Sequence, residues 1–383
     1  MNKFKWLFLL IFPLVLTGCW DSVELDERHI ILDIALDKNP DLDLSQPINE
    51  QQSYRITYGV PDIGLLSGKE SLAEKVKTNI TTNSVSITTS IDEVEKKTQD
   101  TVTLNHTKAL IIGEELLKDK GLLRAAIDAL LRDMKMGRSV TLLAVKGLAG
   151  DFARAENPQN PIIGMYVMEY YNNRERGASR AKEQLLGNFI KEIDDTGVAT
   201  IPIISSNEEG IIHIRGAALI KDYELVTWLD EEEVRGELFV EGEVRRAPVV
   251  VDYENQYLTY MIKEQESKIA FKENNGSWEC YINITTTGDI KEYVSTDDKN
   301  ILNEQSISKI TEILKQEIEK QVNVAVNKSK ELEVDFLEIG LEMYRKHPKQ
   351  WKNYKDTWDK GAYKNLPIHV SATVNIQNTG VLQ

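Results

Sequence analysis

Apolar and polar positions along the chain change period several times, and each change marks an element or a break. The first change is at the N-terminus, where Lys3 and Lys5 precede an unbroken apolar run from Trp6 to Leu16. That run is eleven residues long and contains Pro13. A membrane-crossing helix needs about 20 apolar residues, so the pattern is that of a removable export signal. After it, His29 to Asp37 is strand-like, and so are Tyr54 to Val60 and Val85 to Thr89, by alternation and β-branched content. Ser71 to Thr78 between the latter two reads as helix, and Ser90-Ile91-Asp92-Glu93 has the spacing of a capping box opening a helix through Lys97.

Ala109 to Ile112 is a short buried strand. Gly121 to Met136 places Leu123, Ile127, Leu130, Leu131 and Met134 on one helical face, and Gly137 closes it. Val140 to Val145 returns as strand. Asn157-Pro158-Gln159-Asn160-Pro161 breaks the chain before a helix that runs to about Ile190, and Ile201-Pro202-Ile203 suggests a boundary. Short β runs then dominate: Ile211 to Lys221, Leu225 to Leu229, Leu238 to Glu243, Val249 to Tyr253 and Tyr257 to Lys263. Beyond Gly276 comes the strand-like Tyr281 to Thr286, then a long helix from Asn303 to Lys328 with Ile307, Ile310, Ile313, Leu314 and Ile318 at helical spacing. A helix from Asp335 to Lys346 stops at Pro348, and Pro367 to Ile376 alternates as a half-buried strand.

These elements predict an α+β chain of three mixed domains, each a β-sheet packed with helices. The division is 1–18 signal peptide, 19–200 N-terminal α+β domain, 201–275 small β-rich middle domain, and 276–383 C-terminal α+β domain. No internal repeat occurs at a fixed period.

Leu16-Thr17-Gly18-Cys19 changes the reading of the leader, because a cysteine behind two small residues and a leucine matches the bacterial lipobox. The Cys19 thiol would take up a diacylglyceryl group, and two further features follow. Two buried acyl chains, at about 0.8 kcal/mol per methylene, make a stable anchor. The body begins almost at once with Trp20-Asp21-Ser22-Val23-Glu24-Leu25, so the first domain is held near the membrane, and Trp20, Asp21, Glu24 and Leu25 are candidate partner contacts.

Charge narrows the partners: 46 basic against 61 acidic residues give −15, which disfavours nucleic acid and anionic headgroups and points to a protein partner. Cys280 is the only other cysteine, so no intramolecular disulfide is expected, and its strand-like surroundings suit a buried thiol. A search for chemistry finds little. The phosphate-loop, dinucleotide and serine-hydrolase signatures do not occur, and the five histidines are scattered without H-E-x-x-H or C-x-x-C. Asp230-Glu231-Glu232-Glu233 reads as a solvated turn or helix N-terminus, and Trp351, Tyr354, Trp358 and Tyr363 read as packing of a short helix and loop. Catalytic, cofactor and metal residues are therefore assigned to none.

Taken in order, Gly18-Cys19-Trp20-Asp21-Ser22-Val23-Glu24-Leu25, Ile34-Ala35-Leu36-Asp37, Leu104 to Glu115, Arg132-Asp133, Arg215-Gly216-Ala217-Ala218, Trp228 to Gly236 and His347-Pro348-Lys349-Gln350-Trp351 resemble the C subunit of bacterial spore-germination nutrient receptors, the GerC/GerAC family. The resemblance spans the mature chain. It implies a three-domain, non-enzymatic lipoprotein at the outer face of the spore inner membrane, tied there by diacylglycerol on Cys19. Its implied partners are the integral-membrane A and B subunits of the receptor, with no nucleic acid and no cofactor. The competing reading is a solute-binding lipoprotein of a transporter.

Overall fold

Runs that are apolar on both faces can only sit in the middle of a covered sheet, and two of them set the frame of this fold. In the computed structural model, which describes residues 28–62, 76–98, 101–132, 136–155, 161–173, 181–293 and 304–379, those runs are central parallel strands. The chain opens with β1 (Arg28–Ile30), β2 (Asp33–Lys38), β3 (Tyr54–Pro61) and β4 (Lys77–Ser84), followed by α1 (Ile87–Thr98) and β5 (Thr101–Thr103). Next come β6 (Ala109–Gly113), α2 (Glu114–Leu117), α3 (Lys120–Arg132), β7 (Thr141–Val145), α4 (Ala149–Arg154), α5 (Ile163–Asn172) and α6 (Leu186–Thr196). β8 (Val198–Ser206), β9 (Ile212–Lys221) and β10 (Glu224–Leu229) complete the sheet, and every residue of β6 and β7 is buried.

The sheet has eight strands in the order β10-β9-β8-β7-β6-β2-β3-β4. Its middle, β8-β7-β6-β2, is parallel and its flanks are antiparallel. Alternation sends Leu110 and Ile112 of β6 into one core with α1, α3 and α6, and Ala109 and Ile111 into a second beneath α4 and α5. Each buried Leu or Ile among these contributes about 1.5–3 kcal/mol relative to exposure. β1 and β5 form a separate parallel pair.

Between β7 and β8 the register has one residue pair, Ala144 with Ile203. The rest of the β7 edge is taken by the segment before α6: Leu142 N donates to Gln184 O (2.7 Å), Leu186 N to Val140 O (2.8 Å), and Thr141 bridges Leu185.

A second body follows. It is built from α7 (Glu231–Glu241), β11 (Pro248–Tyr253), β12 (Gln256–Asn274), β13 (Ser277–Tyr293), α8 (Glu304–Leu332), α9 (Ile339–Lys346), α10 (Pro348–Tyr354), α11 (Ala362–Asn365) and β14 (Ile368–Asn378). Asn275 and Gly276, both at positive φ (50° and 81°), turn the β12–β13 hairpin as a two-residue loop requires. β14 returns parallel to β13, giving the order β11-β12-β13-β14. α8 lays Ile310, Leu314, Ile318 and Val322 into this sheet's core at four-residue spacing. Gly236 of α7 lets α8 approach closely: a Cβ there would stand 2.6 Å from the Ala325 Cβ and 2.7 Å from Gln321 O. The same core takes in Val198, Ala217, Leu219 and Leu229, so the two bodies share apolar packing. The fold class is α+β, with three sheets packed against helices.

Several elements depart from the expected pattern, among them the helix expected to run to about Ile190, which is α5 and α6 with residues 181–185 outside any helix. Val85 to Thr89 is the entry to α1: Ser86 and Thr89 cap each other, Thr89 N donating to Ser86 Oγ (3.2 Å) and Ser86 N to Thr89 Oγ1 (3.1 Å), one turn ahead of the expected box at Ser90. Ser90 itself is buried beside the Tyr58 and Thr82 hydroxyls. The helix expected over 71–78 gives way at Lys77 to β4, residues 71–75 lying outside the described residues. Leu238 to Glu243, expected as strand, lies mostly in α7. Ile201-Pro202-Ile203 falls inside β8, where a register shift between Pro202 and Ile204 accommodates the proline.

Candidate functional site

Cys19, Trp20, Asp21, Glu24 and Leu25 lie outside the described residues. Within them, the densest unexplained chemistry sits where the two bodies meet, and α7 creates it. Asp230 caps α7 by accepting from Glu232 N and Glu233 N (both 2.9 Å), Glu233 Oε2 accepts from Asp230 N (2.9 Å), and Gly242 in the left-handed region ends the helix. The acidic run is thus a helix N-terminus, where its charge is favourable.

That start point fixes the helix phase. Glu237 and Glu241, four residues apart on one face, turn toward the first body. Lys182, held by the segment paired with β7, reaches Glu241 Oε1 at 2.6 Å and Glu192 Oε1 on α6 at 3.2 Å. Gln184 Nε2 donates to Glu192 Oε2 (2.7 Å), and the Thr200 hydroxyl on β8 donates to Glu237 Oε1 (2.8 Å). Glu237 is 1% exposed. Its second oxygen, that of Glu241 and the side-chain amide oxygen of Gln184 (Oε1) have no hydrogen-bond partner.

One lysine therefore faces several carboxylates. Burial alone would lower the Lys182 pKa, but Glu241, Glu237 and Glu192 hold it above its ordinary value. Burial, reinforced by Glu241, pushes Glu237 up to about 8, so its carboxyl holds a proton far more readily than an exposed one. Glu338, at positive φ before α9, is likewise raised by burial. Outward from this cluster opens a cleft of about 1010 Å³, with Lys182, Glu241, Arg245, Glu338 and Arg345 among its walls.

A second buried carboxylate organises the last helices. Asp335 accepts from Ile339 N (3.0 Å) and Gly340 N (2.6 Å), capping the start of α9 from just upstream in the chain, and from Trp358 Nε1 (3.1 Å) across the core. Burial pushes it up to about 6. Trp351 meets Trp358 edge-on at 5.0 Å, and Trp358 lies 5.4 Å from Tyr363, so these rings pack the core. Cys280 is buried and burial pushes its thiol up to about 12, which makes it an inert apolar group at neutral pH.

The junction binds two bodies together and can hold a proton, and none of its groups is a nucleophile paired with a base. Among the described residues no cluster of three or more His, Cys, Asp or Glu is placed to hold a metal ion. No described helix is long and apolar enough to cross a membrane. Sequence reading missed Lys182, Glu237 and Asp335. The signal for Glu237 was the Asp230-x-x-Glu233 spacing closed by Gly242, which makes a helix of the intervening residues; Lys182 and Asp335 carry no local signature.

Comparison with known proteins adds an independent line. Residues 21–206 match the model of the spore germination protein N-terminal domain, and residues 215–380 match the spore germination B3/GerAC-like C-terminal domain. Among curated proteins of Bacillus subtilis (strain 168), spore germination protein KC is 24% identical over 97% of this chain and 95% of its own length. Spore germination protein B3 is 24% identical over 94% and 93%, and spore germination protein A3 is 22% identical over 99% and 98%. The crystal structure of the GerBC protein superposes with a TM-score of 0.59 at 20% identity, covering 90% of this chain and 97% of that one, and so shares the fold.

Proposed function

The chain belongs to the spore germination GerAC family, and from that premise we propose that it is a non-enzymatic lipoprotein subunit of a spore nutrient germinant receptor. Diacylglycerol on Cys19 anchors it at the outer face of the spore inner membrane. There it docks with the receptor's integral-membrane A and B subunits and supports the response to germinant. The observation that carries this reading is the match of the two domain models in order along the chain, over residues 21–206 and 215–380, which begins two residues after the cysteine of the lipobox motif. A net charge of −15 favours a protein partner over the anionic membrane surface as the docking site.

Cys19→Ala tests it. The variant is expected in the soluble fraction of broken spores, with nutrient-triggered germination impaired. Undiminished membrane retention together with a normal nutrient response would count against the reading.

The cleft of about 1010 Å³ at the junction favours a second reading, a solute-binding lipoprotein of a transporter. Calorimetric titration of the purified body with amino acids and sugars separates the two. Tight binding by the isolated chain supports the second; heats of dilution alone support the first.

A further inference from the structure

The loop joining β2 to β3 exposes the two most exposed large apolar side chains among the described residues: Leu44 at 76% and Ile48 at 79%, against 40–56% for the next four. The loop is nonetheless built. Asn39 clamps its base, its N donating to Ser53 O (2.9 Å) and its Nδ2 to Gln52 O (2.8 Å). Asp43 Oδ1 accepts from Ser45 N (2.9 Å) and the Ser45 hydroxyl (2.6 Å), and Gln51 Nε2 spans the loop to Gln46 O (2.8 Å). Glu50 N and Gln51 N both return to Pro47 O. Leu44 and Ile48 therefore project from a backbone whose ordering entropy is already spent, the condition under which an apolar anchor adds most to binding.

The charge around them selects the partner. Residues 39–53 contain Asp41, Asp43 and Glu50 and no Lys, Arg or His. Asp41 is paired with Arg55 (2.6 Å) at the loop's base, while Asp43 and Glu50 lie exposed beside the apolar pair. An anionic bilayer repels such a loop. The loop also leaves β2 at Lys38, the end of that strand remote from Arg28, where the described chain begins.

We propose that Leu44 and Ile48 form a docking knob that seats in an apolar socket rimmed by Lys or Arg on a protein partner. On the reading of this chain as a receptor subunit, on which this inference rests, that socket is on an extramembrane part of an integral-membrane companion.

The test uses the full-length chain in spores that carry epitope-tagged companions. A benzoyl-phenylalanine photo-crosslinker is placed at position 44, at position 48, or at exposed Glu224 as control. Adducts with a tagged companion are expected from 44 and 48 and not from 224. The Leu44→Asp, Ile48→Asp double variant should keep its thermal midpoint and membrane content while nutrient-triggered germination slows by about tenfold. Leu44→Met with Ile48→Leu should restore the parental rate. Adducts with lipid alone, no adduct, or parental germination in the double variant would each overturn the knob. Normal germination after deletion of the whole gene would instead overturn the receptor reading, so the two failures are distinguishable.

Discussion

Glu237 shows how far one side chain can be moved by its surroundings. The unfolded carboxyl titrates near its ordinary 4.5, whereas in the folded chain burial and Glu241 move it to about 8. Between those values the native state binds more protons than the unfolded state, so this group favours folding fully below about pH 4.5, and that contribution is lost as pH rises through 8. Glu237→Gln keeps the acceptor for Thr200 and removes the titration. Thermal midpoints of the parent should fall between about pH 5 and about pH 8, and the variant should lose distinctly less over that span. Parallel losses in both would show that the carboxyl does not titrate there. This residue was not legible in the sequence, because its chemistry depends on Lys182, Thr200 and Glu192, which only the tertiary fold brings within reach.

At the scale of elements, legibility followed periodicity. α8 and β14 were readable because their apolar residues keep one period for many residues, and each face stays buried against one surface. Residues 84–90 were not, since β-branched residues there serve a helix that starts with a Ser86–Thr89 cap and buries Ser90. α7 was obscured by its own burial: Leu238, Phe239 and Val240 are all inside, which reads as a strand-sized apolar run. The contact of α7 with α8 gives a direct check. Gly236→Ala places a methyl group against Ala325 and Gln321 O, and should destabilise by about 1–3 kcal/mol in chemical denaturation. Gly121→Ala at an exposed position in the first turn of α3, where a Cβ meets only the Asp119 carboxylate oxygen at 3.6 Å, should instead be neutral or stabilise by about 0.4–1 kcal/mol. Equal effects at the two sites would mean that the α7–α8 approach is looser than described.

For the whole molecule, the α+β class was readable from the alternation of elements. The way they assemble was not: β8, β9 and β10 extend the first sheet on one side of α7, while β11 and β12 begin the second on the other. Sequence-local patterns carry no information on which sheet a strand joins when both flanks are apolar. The junction between the bodies rests on shared core residues and on the Lys182 cluster, and Lys182→Met probes the second. It leaves Glu192 and Glu241 without their cation at a mostly buried site, a loss of about 3 kcal/mol. Calorimetry should then resolve two transitions where the parent shows one cooperative transition. A single unshifted transition would mean that the apolar packing alone couples the bodies.

The edge of β7 is divided between a one-pair register with β8 and the crossing segment at Gln184–Leu186. Mechanically this makes the eight-stranded sheet a ribbon with a splice rather than a uniform plate. A load applied between the β2–β4 side and the β8–β10 side would concentrate at the splice, and the strip of chain that laps it is the one carrying Lys182. Strain arriving at one half of the sheet would therefore be felt first as a change in the distance between that lysine and the glutamates of α7.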